Sequence, residues 1–491
     1  MNKKKTFFVA TVGFMLLAIA LWARHRVSAT QTPNELPNAG ITSANTLTLN
    51  LILNTEPTEA VVAEFARYGA VLDVISELDA VVLQTQEANL AGVRSLPQVV
   101  SAIPDKTAAI APRNAARFVQ PISGGRSTFN QDAINIADLG VGRVVSEDGD
   151  GVYVALIDTG LVPAWRSHLP KQRVNIGYAR AFSEADRQGK GLGPGGSHAW
   201  ETDPSSHGTF LAGMILGFDV NDPVYPPGAQ GPVEGSAPAA TLIPIRITND
   251  EVFSTSSIVS RAIVYAASLK ERSLSNHPLV ICLAVILHDE PIVRAAINYA
   301  ITHGLIVVAA AGNDGEEGMA YPAAYPEVIS VGASGWIGQW QPGADGIPGN
   351  FWRSDDVPDP INAADFFITD YSSRQLPGQY LDVIAPGHLI FGPGQLPGGP
   401  PDHFFGGGTS AAVPHVAGIV ALMAQKRPQL TQAEAEEILK HTAVPIGPGC
   451  RTVMEPINVN IAFPKTYCWG ADATGAGLVD AQAALSATPS H

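Results

Sequence analysis

Cysteine is scarce, with three in 491 residues. No interval among them and the histidines repeats the short paired spacing of a zinc site, so the sequence offers no metal motif. Cys282 lies in the apolar run LVICLAVIL, which reads as a buried strand carrying a free, packed thiol. Cys450 and Cys468 bracket one loop near the C-terminus and are the candidate disulfide, in keeping with an oxidising compartment. Charge is sparse as well: charged residues make up 15% of the chain, and Lys+Arg 30 against Asp+Glu 45 gives a net charge of -15. That balance argues against nucleic acid as a partner. Only one long apolar run stands out, Phe7 to Trp22, about 16 residues and just short of a comfortable bilayer span. Lys3, Lys4 and Lys5 precede it, Arg24, His25 and Arg26 follow, and Val27-Ser28-Ala29 supplies a small-x-small exit. The pattern reads as a secretory signal over residues 1–29. An uncleaved anchor is the alternative, because the basic residues beyond the run suit a signal poorly. Either reading puts the body outside the cytoplasm, and only the anchor implies membrane contact.

What the chain has in quantity is apolar residues (46%), glycine (48) and proline (38), the composition of a globular protein with many ordered loops. Its length allows a full-sized core and a second small domain. Residues 30–45, rich in Thr, Pro, Asn and Ser, read as a spacer. Residues 46–105 follow the order strand, helix, strand, strand, helix, strand, the split unit of ferredoxin-like α+β domains. The helices are expected near 57–68 and 87–96. Residues 106–132 read as an irregular linker, with Pro112, Pro121, Gly124 and Gly125 as breakers. From 133 to 487, near-continuous apolar strands alternate with amphipathic helices. That predicts an α/β fold whose parallel sheet is covered by helices on both faces. The aromatic segment from Trp336 to Phe367 is expected to pack against this body, with an exposed rim as the alternative.

Chemistry gathers at strand ends and helix starts, where open parallel sheets place their sites. GGGTSAAVPHVAGIVALM, residues 406–423, reads as a glycine turn delivering Ser410 to the first turn of a buried helix. Val413, Val416, Ala417, Val420 and Met423 share one face at helical spacing. Pro414 is expected in the first turn, where its missing N–H costs nothing. Asp158 closes the strand VYVALID, His207 opens the helix SSHGTFLAGMI, and Asn313 follows the strand LIVVAAA. Each alone has an ordinary turn or cap explanation. Together they supply an acyl-transfer set: a nucleophile, a base, an acid that orients the base, and a donor for the oxyanion.

With VALIDTG, SSHGTFLAG, AAAGNDG and GTSAAVPHVAG in this order, the chain resembles the subtilisin-like serine proteases. The likeness extends through GSAPAATLIPIRI, YPAAYPEVISVGA, LDVIAPG and GLVDAQAAL. It implies a peptidase domain over 133–487 with Asp158, His207 and Ser410 as triad, Asn313 at the oxyanion, and a protein or peptide substrate. It implies further that 46–105 is a removable propeptide acting as intramolecular inhibitor, and that the linker after it passes through the active site. Ala284, Ile286, Ala310 and Gly312 would line the substrate cleft. Two positions depart from the family pattern. Phe210 replaces a second histidine, at no triad position. Ile286 stands where relatives keep a small glycine, which is expected to narrow the pocket towards small side chains or to block peptide binding. A catalytically silent binding protein and an esterase are therefore the rival readings. The resemblance requires no cofactor. Structural calcium is common in such relatives, but the oxygen-rich stretches Asp219 to Asp222 and Asp355 to Asp359 lack a ligand spacing.

Overall fold

The structure, a computed structural model, describes residues 45–110, 129–138, 141–189, 199–220, 231–249, 252–342, 351–353, 357–395, 399, 401–458 and 461–490. The expected signal or anchor and nearly all of the spacer lie outside these residues. Among the described residues no helix is long and apolar enough to cross a membrane.

The N-terminal domain runs Thr46–Leu53, helix Glu59–Phe65, Gly69–Ile75, Ala80–Gln86, helix Leu90–Arg94, Val99–Pro104. Its strands form one antiparallel sheet in the order third, fourth, first, sixth element of that series, counted as Gly69–Ile75, Ala80–Gln86, Thr46–Leu53, Val99–Pro104. Alternation in the first strand sends Leu49, Leu51 and Leu53 to one face. There they meet Val81 and Leu83, under Phe65 and Val93 from the helices. Both helices are shorter than their sequence pattern suggests. Thr58 caps the first, so it starts at Glu59, and a turn through Tyr68 feeds the next strand. The second opens as a 3-10 turn at Glu87–Asn89.

The body is built on a sheet whose strand order is Phe366–Ile368, Ile329–Trp336, Ile306–Ala310, Leu279–Leu283, Tyr153–Asp158, Thr241–Arg246, Arg180–Ala181, with Val383–Pro386 also paired to Ile329–Trp336. All pairings are parallel except that of Phe366–Ile368. The chain leaves Tyr153–Asp158 for a neighbour on one side and later returns to a neighbour on the other. The strand ending in Asp158 is thus a switch point, where flanking loops part and leave a crevice. Helix Ser256–Arg272 packs beside helix Pro291–Thr302 on one side of the sheet, and helix Thr409–Lys426 packs on several of its strands.

The expected burial of the helix bearing Ser410 holds, while the place of Pro414, the run LVICLAVIL and the linker differ from expectation. The helix Thr409–Lys426 is buried on every face through Ala424, because strands, helix His207–Leu216 and helix Ala481–Ala487 all pack on it. Pro414 lies in its second turn, so it has no N–H to give the Ser410 carbonyl one turn back. The run LVICLAVIL does not stay a strand throughout: the ladder stops at Leu283, after which Ile286 and Leu287 pair outward with Ala109 and Tyr321. The linker is not irregular throughout either, since Thr107–Ala109 is a strand supported by the body and Phe129–Asp132 a turn of helix. Among the aromatics of the 336–367 segment, Trp336, Phe366 and Phe367 are buried. Cys450 and Cys468 face each other across the hairpin Gly449–Asn458/Ile461–Trp469 and are disulfide-bonded, while Cys282 is free and buried.

Candidate active site

Asp158 is fully buried at its strand's end. Helix His207–Leu216 begins directly against it, because Gly208 has no side chain. A Cβ there would overlap the Gly160 carbonyl oxygen and lie 3.2 Å from Asp158 Oδ1. The close approach brings His207 Nδ1 to 2.8 Å from Asp158 Oδ1 and 3.0 Å from Oδ2. The carboxylate accepts, so Nδ1 carries a proton, which in the neutral ring leaves the lone pair on Nε2. Thr159 gives its N–H and hydroxyl to Asp158 Oδ1 at 2.7 and 3.0 Å, fixing the acid from behind.

A second buried carboxyl, Asp203, accepts the N–H and hydroxyl of Thr209 at 3.0 and 2.9 Å. Burial raises its pKa above the usual carboxylate range, and the charge of Asp158 adds to the rise, against the Thr209 and Thr159 hydrogen bonds. Asp203 thereby anchors the first turn of the helix that carries His207.

The three glycines before Ser410 each make room for something. A Cβ on Gly406 would meet the Phe210 ring at 2.8 Å, one on Gly407 the Tyr371 hydroxyl at 3.1 Å, and one on Gly408 the Asn313 amide at 3.4 Å. Gly408 also has φ +126°, a backbone region open to glycine. Phe210 fills the space left by Gly392 and Gly406 and stacks on Phe404, so its place in the motif is one of packing. Tyr371 donates to the Gly387 carbonyl at 2.8 Å and accepts the Gly408 N–H at 3.3 Å.

Asn313 is held by the same turn. Its Oδ1 accepts the Thr409 N–H at 2.8 Å and the Thr409 hydroxyl at 3.2 Å. An oxygen so occupied leaves the Nδ2 hydrogens as the donors the side chain can offer. Beside it, the N–H of Ser410 belongs to the first turn of its helix, where no earlier carbonyl is in register to accept it. Ser410 is 5% exposed and His207 2%. Helices His207–Leu216 and Thr409–Lys426, which carry His207 and Ser410 in their first turns, pack against each other. Among the described residues no hydrogen bond joins His207 to Ser410; such links often tighten only around a reacting substrate. His415, one turn beyond Ser410, is unavailable as a base. Its Nδ1 donates to the Ala411 carbonyl, its Nε2 accepts from Asn130, and burial pushes its pKa down to about 4.

Of the expected cleft residues, Ala284 and Ala310 are buried, Gly312 has φ +108° and exchanges hydrogen bonds with the Thr409 hydroxyl, and Ile286 is half-buried. Along this edge lies the chain's own strand Thr107–Ala109, antiparallel to Phe253–Thr255. On its other side Ala109 gives its N–H to the Ile286 carbonyl at 3.0 Å and accepts the Ile286 N–H at 2.7 Å. The bulk at Ile286 therefore leaves the main chain free to pair with an extended peptide. Just before this strand Asp105 caps helix Ser256–Arg272. It accepts the Ser257 N–H at 3.0 Å, the Ser256 and Ser257 hydroxyls at 2.8 and 2.6 Å, and the Asn50 amide at 3.0 Å. Asp73 of the N-terminal domain pairs with Arg261 on the same helix.

Among the described residues no group of three or more His, Cys, Asp or Glu side chains is arranged to hold a metal ion. Of the two oxygen-rich stretches, Asp219 and Asp359 are exposed, and Asp222 and Asp355 lie outside the described residues. The residues that sequence reasoning overlooked are supports: Thr159, Asp203, Thr209, Tyr371 and Thr409. The intervals Asp158-Thr159 and Asp203 to Thr209 around the His207 motif were the available signal, but their partners are set by packing.

Residues 149–478 match the subtilase family, Peptidase_S8. Subtilisin E of Bacillus subtilis (strain 168) is 29% identical over 304 residues, which is 61% of this chain and 62% of subtilisin E, so the match spans under two thirds of that relative. Subtilisin of Bacillus pumilus is 29% identical over 304 residues, covering 61% of this chain and 86% of its own. Subtilisin Savinase of Lederbergia lenta is 26% identical over 301 residues, with the same coverage of 61% and 86%. Among solved structures, fervidolysin from Fervidobacterium pennivorans, a keratinolytic enzyme related to subtilisin, is similar with a TM-score of 0.62 and 21% identity, covering 90% of this chain and 61% of its own. That likeness is one of fold.

Proposed function

The chain belongs to the subtilase family, and from that premise we propose that it is a serine endopeptidase, exported from the cytoplasm and made as a self-inhibited precursor. The observation that carries this reading is the bond of His207 Nδ1 to Asp158 at 2.8 Å, on a helix that packs against the helix bearing Ser410. With Nδ1–H held by the acid, His207 Nε2 takes the Ser410 proton as Oγ adds to the peptide carbonyl. Negative charge on the carbonyl oxygen is met by Asn313 Nδ2 and the Ser410 N–H, both fixed before the reaction begins. His207 then returns the proton to the departing amine. Water, deprotonated by the same imidazole, frees the acyl group from Ser410.

The N-terminal domain acts in this reading as the inhibitor. It is anchored by Asp105 and Asp73 on one helix, and its trailing strand fills the edge that a substrate strand would need. The pairing of Ala109 with Ile286 favours a cleft that accepts peptides over an occluded, silent one.

A fluorophosphonate probe tests the chemistry. Matured protein should label at Ser410, and Ser410→Ala should lose both labelling and hydrolysis of a denatured protein, save a residue of rate from binding and the oxyanion donors. Hydrolysis by Ser410→Ala at the wild-type rate would end the proposal. An intact fold that never labels would instead favour the binding protein, and matched ester and amide substrates separate an esterase. N-terminal sequencing of protein from medium and membrane fractions tests export and processing.

A further inference from the structure

Glu290 precedes helix Pro291–Thr302 and is fully buried, with its side chain at 0% exposure. Its Oε1 lies 3.0 Å from Lys106 Nζ, and Oε2 has no hydrogen-bond partner among the described residues. A carboxylate so placed is costly unless a cation faces it. Burial raises its pKa, Lys106 opposes that rise, and the nearby charges of Asp105 and Asp289 reinforce it. The cation comes from the linker, the part of the precursor that must leave the cleft before a substrate enters.

Lys106 is held there mainly through its backbone. Its carbonyl accepts the Ser256 N–H at 3.0 Å and its N–H donates to the Ser256 hydroxyl at 3.3 Å, continuing the ladder of Thr107–Ala109 on Phe253–Thr255. Main-chain pairing of this kind is indifferent to side chains, so any peptide added in the same register places one residue at the position of Lys106. When the linker withdraws, Glu290 loses its counter-charge and becomes an anionic subsite aimed at that position.

We propose that Glu290 is a specificity residue of the mature cleft, selecting substrates with a lysine or arginine three residues before the one that pairs with Ile286. This rests on the peptidase reading. The preferred substrate is then an extended segment with a basic residue, followed by Thr-Ala-Ala-Ile-like small and aliphatic residues such as those of the chain's own strand, where Ala108 and Ile110 are buried.

The test uses internally quenched peptides of sequence X-Thr-Ala-Ala-Ile-Ala-Ser-Leu, with X as Lys, Arg, norleucine or Glu, and matured enzyme counted by fluorophosphonate titration of Ser410. kcat/KM should be about tenfold higher for Lys and Arg than for norleucine, mostly through KM, and lower still for Glu. Glu290→Gln should bring the Lys-to-norleucine ratio near one. Equal rates for all four peptides on titrated wild-type enzyme would overturn the proposal, whether or not the variant folds. If Ser410 does not label and no peptide is cut, the peptidase reading fails. Fluorescence anisotropy of the same four peptides on that protein then decides the subsite, with tenfold tighter binding of the Lys peptide supporting it and anything less refuting it.

Discussion

Asp105→Ala should loosen the hold of the N-terminal domain on the cleft, and the structure sets the size of the effect. Asp105 brings a negative charge to the start of helix Ser256–Arg272, where it accepts four hydrogen bonds between 2.6 and 3.0 Å. A carboxylate at a partly buried helix N-terminus is worth up to ~2 kcal/mol, and hydrogen bonds to a charged group ~1.5–3 kcal/mol, the terms overlapping rather than adding. Water reaches the freed serines once the domain lifts, so the net loss is set at about 3 kcal/mol, a ~100-fold rise in the open population. Asp105→Asn keeps an acceptor and loses only charge, for a rise of about fivefold. The assay is amide hydrogen exchange, followed by mass spectrometry, on the segment containing Ala109. Its N–H bonds to the Ile286 carbonyl and exchanges when the strand lifts. On the proposed function, a Ser410→Ala background keeps the chain uncut. Exchange should quicken about 100-fold in Asp105→Ala and about fivefold in Asp105→Asn. Unchanged protection in both variants would refute the view that this carboxylate clamps the domain.

Asn313→Ala should lower kcat about 100- to 1,000-fold with KM little changed, because the donor acts on charge present only in the transition state; steady-state kinetics on a peptide substrate checks it. In Gly208→Ala the new methyl overlaps the Gly160 carbonyl and presses on Asp158 Oδ1. A displacement of about 1 Å at His207 should then cost roughly 100-fold in kcat/KM while circular dichroism stays native. Asp203→Asn tests burial. The folded-state pKa of Asp203 is raised, chiefly by desolvation, so the ionised group costs stability above both its pKa values and nothing once pH falls below the unfolded value of about 3.9. The variant, neutral throughout, should melt higher than wild type near pH 7, and the difference should shrink and vanish below about pH 4 in thermal melts.

How much was legible in the sequence follows from how local each signal is. The strands and helices of both domains show in hydrophobic period, and Asp158, His207, Asn313 and Ser410 are marked by short motifs at strand ends and helix starts. What failed were inferences that needed a neighbour. Thr107–Ala109 has too little pattern of its own to read as a strand, and becomes one because Phe253–Thr255 and Ile286 offer backbone partners on both sides. Pro414 falls one turn deeper than its motif suggests because the helix start depends on a Gly408 conformation that Asn313 and Tyr371 help to fix.

By itself, then, the sequence determined the element order, the family and the four residues of the proposed chemistry, since periodicity, glycine turns and motif spacing are written along the chain. Tertiary structure alone decided that Gly208 lets a helix rest on Asp158, that Asp203 and Thr159 brace the pair, and that Lys106 meets Glu290. These depend on residues far apart in sequence being driven together, as buried charge and unbonded backbone must find partners once water is excluded.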